Sequence, residues 1–148
     1  MAIEIRTAEP ADIAQMAAIR AKESGTAAFW ANRIAAYLSG EHSPQQALTD
    51  RAAYIATDQS QLVGFVAGHR TRRFGCGGEL QWINVVEERR GMGIAGMLVA
   101  KIGEWFVEQQ AARICVNVSP ENTAARKLTQ GAARCLSMNT GWSGKIRA

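Results

Sequence analysis

Cysteine, proline and histidine are all scarce, at three, three and two residues in a chain of 148. Cys76, Cys115 and Cys135 stand far apart, with no Cys-x-x-Cys pair and no Cys/His spacing of the kind that ligates metal. That argues against a disulfide framework and against a metal site. A reduced, cytoplasmic protein is the expectation that follows. No apolar run approaches the roughly 20 residues that cross a bilayer. The opening MAIEIRTAEP has no basic stretch leading into an apolar one, so neither a secretory leader nor a membrane partner is expected. Repeats, low-complexity tracts and linkers are absent as well, which leaves one domain over residues 1–148 as the simplest organisation.

What is present suits a folded domain. Hydrophobic residues make up 47% and charged residues 20%, a balance that excludes intrinsic disorder. The net charge is +4, and arginine outnumbers lysine. Solubility accounts for that charge, and so does an anionic partner such as a nucleotide cofactor, a nucleic acid or an acidic substrate. Arg70, Arg72 and Arg73 form a basic stretch, but no aromatics alternate with them as they would on a nucleic-acid surface.

Periodicity orders the chain. IEIRTA alternates and predicts a first strand, and Glu9-Pro10-Ala11-Asp12 opens a helix that Ser24-Gly25 ends. Phe29, Trp30, Ile34, Tyr37 and Leu38 recur at helical steps up to Ser39-Gly40. Residues 41–50 are polar and read as a connector. Strands follow over 52–58, 61–70 and 79–86, then a helix over about 94–110 and a strand over 112–119. Pro120-Glu121-Asn122 restarts a helix, and Cys135–Met138 reads as a final strand. The order β-α-α-β-β-β-α-β-α-(β) predicts an α/β fold, with a mixed sheet covered by helices on both faces. The connection from 79–86 to 112–119 makes those two strands parallel.

The densest signal is Arg89-Arg90-Gly91-Met92-Gly93-Ile94-Ala95-Gly96, placed after a strand and opening a helix. The first turn of a helix carries free N–H groups and roughly half a positive charge. Glycines there let an anion reach those groups, and Arg89 and Arg90 add charge at the mouth. Gly91, Gly93 and Gly96 also spell the dinucleotide pattern G-x-G-x-x-G, but the next strand ends in Asn117-Val118-Ser119 without the required carboxylate. The lysine of a phosphate-binding P-loop is missing too. A pyrophosphate cradle of another kind is the reading that remains, beside a bare strand-to-helix turn.

Arg90-Gly91-Met92-Gly93-Ile94-Ala95 resembles the acyl-CoA loop of the GNAT N-acetyltransferases, and Asn122, Ala125 and Leu128 resemble that family's Asn-x-x-Ala-x-x-Leu segment. With the order of elements, the similarity covers residues 3 to about 131. It implies acetyl transfer from acetyl-CoA, by direct attack of an amine acceptor on the thioester. No metal is expected to take part. The resemblance implies that the peptides of Val85 and Val86 pair with the pantetheine arm and that one of them polarises the thioester. Arg90, Gly91, Met92, Gly93, Ile94, Ala95 and Gly96 would hold the coenzyme A pyrophosphate, and Asn122 would contact the arm. A bulge near Asn84–Val86 and parting of the strands 79–86 and 112–119 would admit it. Glu79 is the candidate general base, placed on the strand face of Gln81, Ile83 and Val85 by the two-residue period. Phe29, Trp30, Arg33 and Tyr37 would line one wall of the acceptor pocket. The resemblance also allows a homodimer. One departure stands out: Thr129 sits where the family often carries an acidic tyrosine. A coenzyme A-binding module without turnover, or a basic nucleic-acid-binding domain, are the alternatives.

Overall fold

The computed structural model of the chain describes residues 2–44, 47–72, 75–116 and 134–137. A first strand β1 (Ile3–Thr7) leads through a 3-10 turn at Pro10–Asp12 into α1 (Ile13–Ala21) and α2 (Ala27–Ser39). Three strands follow, β2 (Ala47–Asp58), β3 (Gln61–Thr71) and β4 (Gly78–Val85). A second 3-10 turn at Glu87–Arg89 precedes α3 (Ile94–Glu108), then come β5 (Arg113–Val116) and β6 (Arg134–Ser137). All six strands lie in one sheet in chain order. Every pair is antiparallel except β4–β5, which the α3 crossover makes parallel. The mixed α/β architecture is therefore as expected, while the expected helix near 120–128 lies outside the described residues. Among the described residues, no helix is long and apolar enough to cross a membrane.

Local chemistry fixes the helix ends. The Asp12 carboxylate accepts the Glu9 N–H at 2.7 Å and is gripped by both Arg6 nitrogens at 2.8 and 2.9 Å. The Arg6 hydrogen bonds, outweighing burial, hold the Asp12 pKa below its ordinary value. Thr26 Oγ1 accepts the Phe29 N–H at 3.0 Å at the start of α2, and Gly40, at φ +87°, ends it. Arg51 donates to the carbonyls of Tyr37 (2.6 Å) and His42 (2.7 Å), tying the end of α2 to β2.

The sheet has two unlike faces. Leu98, Ile102 and Phe106 of α3 pack on Val63, Val66, Leu80, Ile83, Val85 and Ile114. On the other face α1 and α2 pack Met16, Ala17, Ile34 and Tyr37 on Ile55, Phe65, Ala67 and Trp82. α3 approaches closely because Gly68 and Gly78 leave room for the Phe106 ring; a Cβ on Gly68 would sit 2.8 Å from it.

Four sequence expectations are corrected. β2 begins at Ala47, inside the segment read as a connector; its first residues lie beyond the core and so show no alternation of polar and apolar side chains. The β3–β4 register jumps from Ala67↔Trp82 to Gly68↔Leu80, which leaves Gln81 as the extra residue. The irregularity is thus at Gln81 and not near Asn84–Val86, where Phe65↔Asn84 and Gly64↔Val85 pair in step. Because the bulge resets the two-residue alternation, Glu79 shares the α1–α2 face with Trp82 and Asn84, opposite Ile83 and Val85. Finally, Cys76 and Cys115 form a disulfide, 39 residues apart in sequence but 6.1 Å apart at Cα. The turn before β4 returns Cys76 beside β5, a proximity that linear spacing conceals. With the disulfide, the argument for a reducing compartment loses its premise.

Candidate active site

The loop after β4 has the shape its glycines demand. Gly91 and Gly93 both take φ +82°, the left-handed region that favours glycine. A Cβ built at Gly91, Gly93 or Gly96 would meet nothing within 4 Å. Gly93 is the residue before α3, and no side chain caps that helix start. The N–H groups of the first turn therefore face an open, uncapped surface with the positive end of a 15-residue helix behind it. Gly91, Met92, Gly93 and Gly96 are exposed, whereas Ile94 is buried and anchors the turn to the core. Among the described residues neither a side chain nor a cap occupies this cradle, which has the free N–H groups that an anion requires.

The two arginines flanking the loop behave differently. Arg89 turns away and pairs with Asp58 at the β2–β3 turn, holding the Asp58 pKa below its ordinary value. Its charge is not at the mouth of the loop, contrary to expectation. Arg90 does remain there. Its Nε donates to the Val85 carbonyl at 3.1 Å, and its Nη2 lies 3.5 Å from Glu23.

Strand β4 carries the loop. The Val86 N–H donates to Val63 at 2.9 Å. By the antiparallel pattern, the Val85 peptide then points to the opposite edge of β4. Pairing with β5 runs from Gly78↔Ile114 to Leu80↔Val116; any parting of the strands beyond Val116 lies outside the described residues. Within β4 the one side chain that is not buried is Gln81, at the bulge.

Sequence reasoning missed a polar network at the end of β4. Asn84 is buried, accepts from Arg20 Nη1 at 3.2 Å and donates to Glu23 Oε1 at 3.1 Å. Arg20 stacks over Trp30 at 4.3 Å, and burial lowers its pKa against the pull of Glu23. Trp30 in turn meets Trp82 edge-on. The end of α1 is thus stitched to the strand that leads into the loop. An asparagine inside the otherwise apolar Trp82-Ile83-Asn84-Val85-Val86 was the available signal, because a buried amide requires partners.

Glu79 lies at the other end of β4 and is 4% exposed. Its Oε2 is 3.5 Å from His69 Nε2, and His69 Nδ1 is 2.7 Å from the Tyr37 hydroxyl. His69 and Tyr37 are both fully buried. Burial pushes the Tyr37 pKa upward, so the hydroxyl keeps its proton. Of the suggested acceptor-pocket wall, Tyr37 is therefore core, Trp30 is half-buried and Phe29 is exposed. Val85, Arg90 and the glycines come together at one end of β4; Asn122 and Thr129 lie outside the described residues.

Comparison with known proteins gives this geometry a context. No curated protein matches the sequence. A ribosomal-protein-alanine N-acetyltransferase from Brucella melitensis biovar Abortus 2308 matches at TM-score 0.66 with 21% identity, covering 99% of both chains. A GNAT family acetyltransferase from Brucella melitensis, solved with acetyl-CoA, matches at TM-score 0.64 with 18% identity, covering 99% of this chain and 94% of that one. AAC(6')-Iy, solved with a CoA-S-monomethyl-acetylneamine bisubstrate analogue, matches at TM-score 0.69 with 20% identity over 88% of each chain. At these identities the likeness is one of fold. The sequence profile of the Acetyltransferase (GNAT) family matches residues 15–131, most of the chain. The strand, the glycine cradle and the helix behind it all fall inside that match, and the chain belongs to the GNAT acetyltransferase family.

Proposed function

We propose that the chain transfers the acetyl group of acetyl-CoA directly to an amine acceptor within a ternary complex. The observation that carries this reading is the uncapped start of α3 behind Gly91 and Gly93, with Arg90 contributing charge at its mouth. The N–H groups of Gly91 to Gly96 hold the pyrophosphate, and Met92, Ile94 and Ala95 shape the loop. The pantetheine arm lies along the outer edge of β4, starting from the Val85 peptide beside Val86 and running back toward Gln81. Glu79 and Val85 are six residues apart, roughly 20 Å along the strand. Only an arm that runs back in this way brings the thioester within reach of Glu79.

Acetyl-CoA supplies an activated acyl carbon, and the chain orients the two reactants and manages protons. The acceptor ammonium gives one proton to Glu79, and its nitrogen then bonds to the acetyl carbon. The C–S bond breaks with its electron pair left on sulfur. Of the two protons that the ammonium loses, one ends on sulfur and one in solvent. Asn122 contacts the arm, and the acceptor is a small-molecule or peptide amine.

A thermal-shift titration tests the cofactor half of this reading. Acetyl-CoA at 100 times its Kd stabilises the fold by about 2.7 kcal/mol, visible as a raised Tm. Gly93→Glu places a carboxylate among the phosphate-binding amides and abolishes the shift. Gly93→Asn, which tolerates the left-handed backbone, retains part of it. No shift with millimolar acetyl-CoA overturns the proposal. A panel of amines tests the transfer; a shift with no turnover on any amine leaves a coenzyme A-binding module instead.

A further inference from the structure

The α1–α2 face contains a buried polar array. Tyr37, His69 and Glu79 sit inside a cluster otherwise made of Met16, Ile34, Phe65, Ala67 and Trp82. Burying a His–carboxylate pair carries a desolvation cost that apolar residues of similar volume would avoid. The array also has a direction. Its Tyr37 end is dry and pressed between Trp82, at 4.9 Å between ring centroids, and Arg51, stacked at 4.6 Å. Its Glu79 end lies two residues from Gln81, the one incompletely buried side chain of β4.

We read the roles from the donors and acceptors present. The Tyr37 hydroxyl has a proton to give and His69 Nδ1 lies 2.7 Å away, so Tyr37 is assigned as the donor and Nδ1 as the acceptor. The remaining ring proton then sits on Nε2, facing Glu79. The 3.5 Å between Nε2 and Oε2 is longer than a full hydrogen bond, as catalytic contacts often are before the reactants bind. β3 and β4 place His69 directly opposite Glu79 in register, so the approach is built into the strand pairing.

We infer that Tyr37, His69 and Glu79 form a relay in which Tyr37 fixes the His69 tautomer and His69 orients the carboxylate that takes the acceptor's proton. This rests on the assignment of Glu79 as the base. Glu79 is then the catalytic residue, and His69 and Tyr37 are positioning residues. The order resembles a general base steered by a second group that is itself steered by a third, here with the carboxylate at the reacting end.

Substitutions at His69 separate positioning from simple core filling. Glutamine places its amide near Nε2 and keeps a donor for Glu79; asparagine places its amide near Nδ1 and keeps only the Tyr37 bond. Acetylation of the fastest amine of the panel is measured with His69→Gln, His69→Asn, Tyr37→Phe and Glu79→Gln, together with acetyl-CoA Kd and Tm. The expected result is a kcat loss of about 100-fold in Glu79→Gln. His69→Asn loses at least tenfold, and His69→Gln recovers most of that loss. Acetyl-CoA Kd and the amine KM stay within threefold throughout. Nitrogen-15 NMR, with His42→Gln removing the other histidine, shows the Nε2–H tautomer at His69 and its loss in Tyr37→Phe. Unchanged kcat in Glu79→Gln overturns the base assignment. A fall in Glu79→Gln with equal kcat in the two His69 variants overturns the relay and leaves the base standing. If a His69 variant fails to fold or no amine turns over, the tautomer decides alone, and an Nδ1–H ring overturns the relay.

Discussion

The two faces of the sheet are built on opposite plans. Under α3, among the described residues, the core cluster is aliphatic and aromatic, and glycines at 68 and 78 let the helix settle directly on the strands. Under α1 and α2 the core is interrupted by Tyr37, His69, Glu79 and Asn84, and reached from its rim by Arg20 and Arg51. β4 belongs to both, with Leu80, Ile83 and Val85 on one side and Glu79, Trp82 and Asn84 on the other. One face packs the strand against an apolar helix and the other lines it with polar side chains, and the Gln81 bulge decides which residues go where. A site held on a rigid strand keeps its geometry better than one carried by loops alone.

The comparison breaks most readily at Phe106. Its ring covers Gly68 and Gly78, neither of which has a side chain to refill the space. Phe106→Ala is expected to cost about 4–5 kcal/mol, the upper part of the range for such truncations, because the cavity cannot collapse. Chemical denaturation reads the loss. At a temperature where the variant stays folded, acetyl-CoA affinity is unchanged, since Phe106 stands roughly 18 Å along α3 from the start of the helix. An affinity that falls with stability contradicts the division between scaffold and site.

Apolar spacing made the scaffold face legible and left the chemical face half hidden. Ile94, Leu98, Ile102 and Phe106 announce α3 by their helical steps, and the glycines before it announce the cradle. Gln81 could not be read as a bulge, because nothing in Glu79-Leu80-Gln81-Trp82 distinguishes an extra residue from ordinary alternation. The face assigned to Glu79 was therefore inverted. His69 stood alone in sequence, and its partners Tyr37 and Glu79 are 32 and 10 positions away on other elements. Cys76 and Cys115 illustrate the same limit: pairing across a sheet depends on the fold and not on spacing.

A smaller effect separates the faces by pH. Phe106 packs among apolar side chains under α3, whereas the turn into α1 is closed by the Asp12 carboxylate. The Asp12 pKa lies below its ordinary 3.8 in the folded chain, chiefly through Arg6. Its contribution is therefore complete above the unfolded value and disappears as pH falls through the folded one. Asp12→Ala should lose about 1 kcal/mol at neutral pH, the usual net worth of such a hydrogen bond. That difference from the wild type shrinks below about pH 4, as the native carboxylate itself takes a proton. Urea melts at pH 7 and pH 3 measure both values. Phe106→Ala serves as the control, with a loss that stays the same at the two pH values.

The weakest link joins the chemical face to the cradle. Glu23 receives the Asn84 amide at 3.1 Å and lies 3.5 Å from Arg90, with 31% and 43% of the Glu23 and Arg90 side chains exposed. An ion pair so open to solvent is worth at most about 0.5 kcal/mol. Glu23→Gln keeps the amide's acceptor and removes the opposing charge, leaving Arg90 with its hydrogen bond to the Val85 carbonyl and its full attraction for phosphate. Acetyl-CoA should then bind about twofold tighter at low salt, and the gain should vanish as the Debye length shortens toward 3 Å near 1 M salt. Arg90→Gln in the same background should erase the gain. If Glu23→Gln instead weakens binding by tenfold, Glu23 supports the loop through Asn84, and the charge between the two regions matters less than the hydrogen bonds that join them.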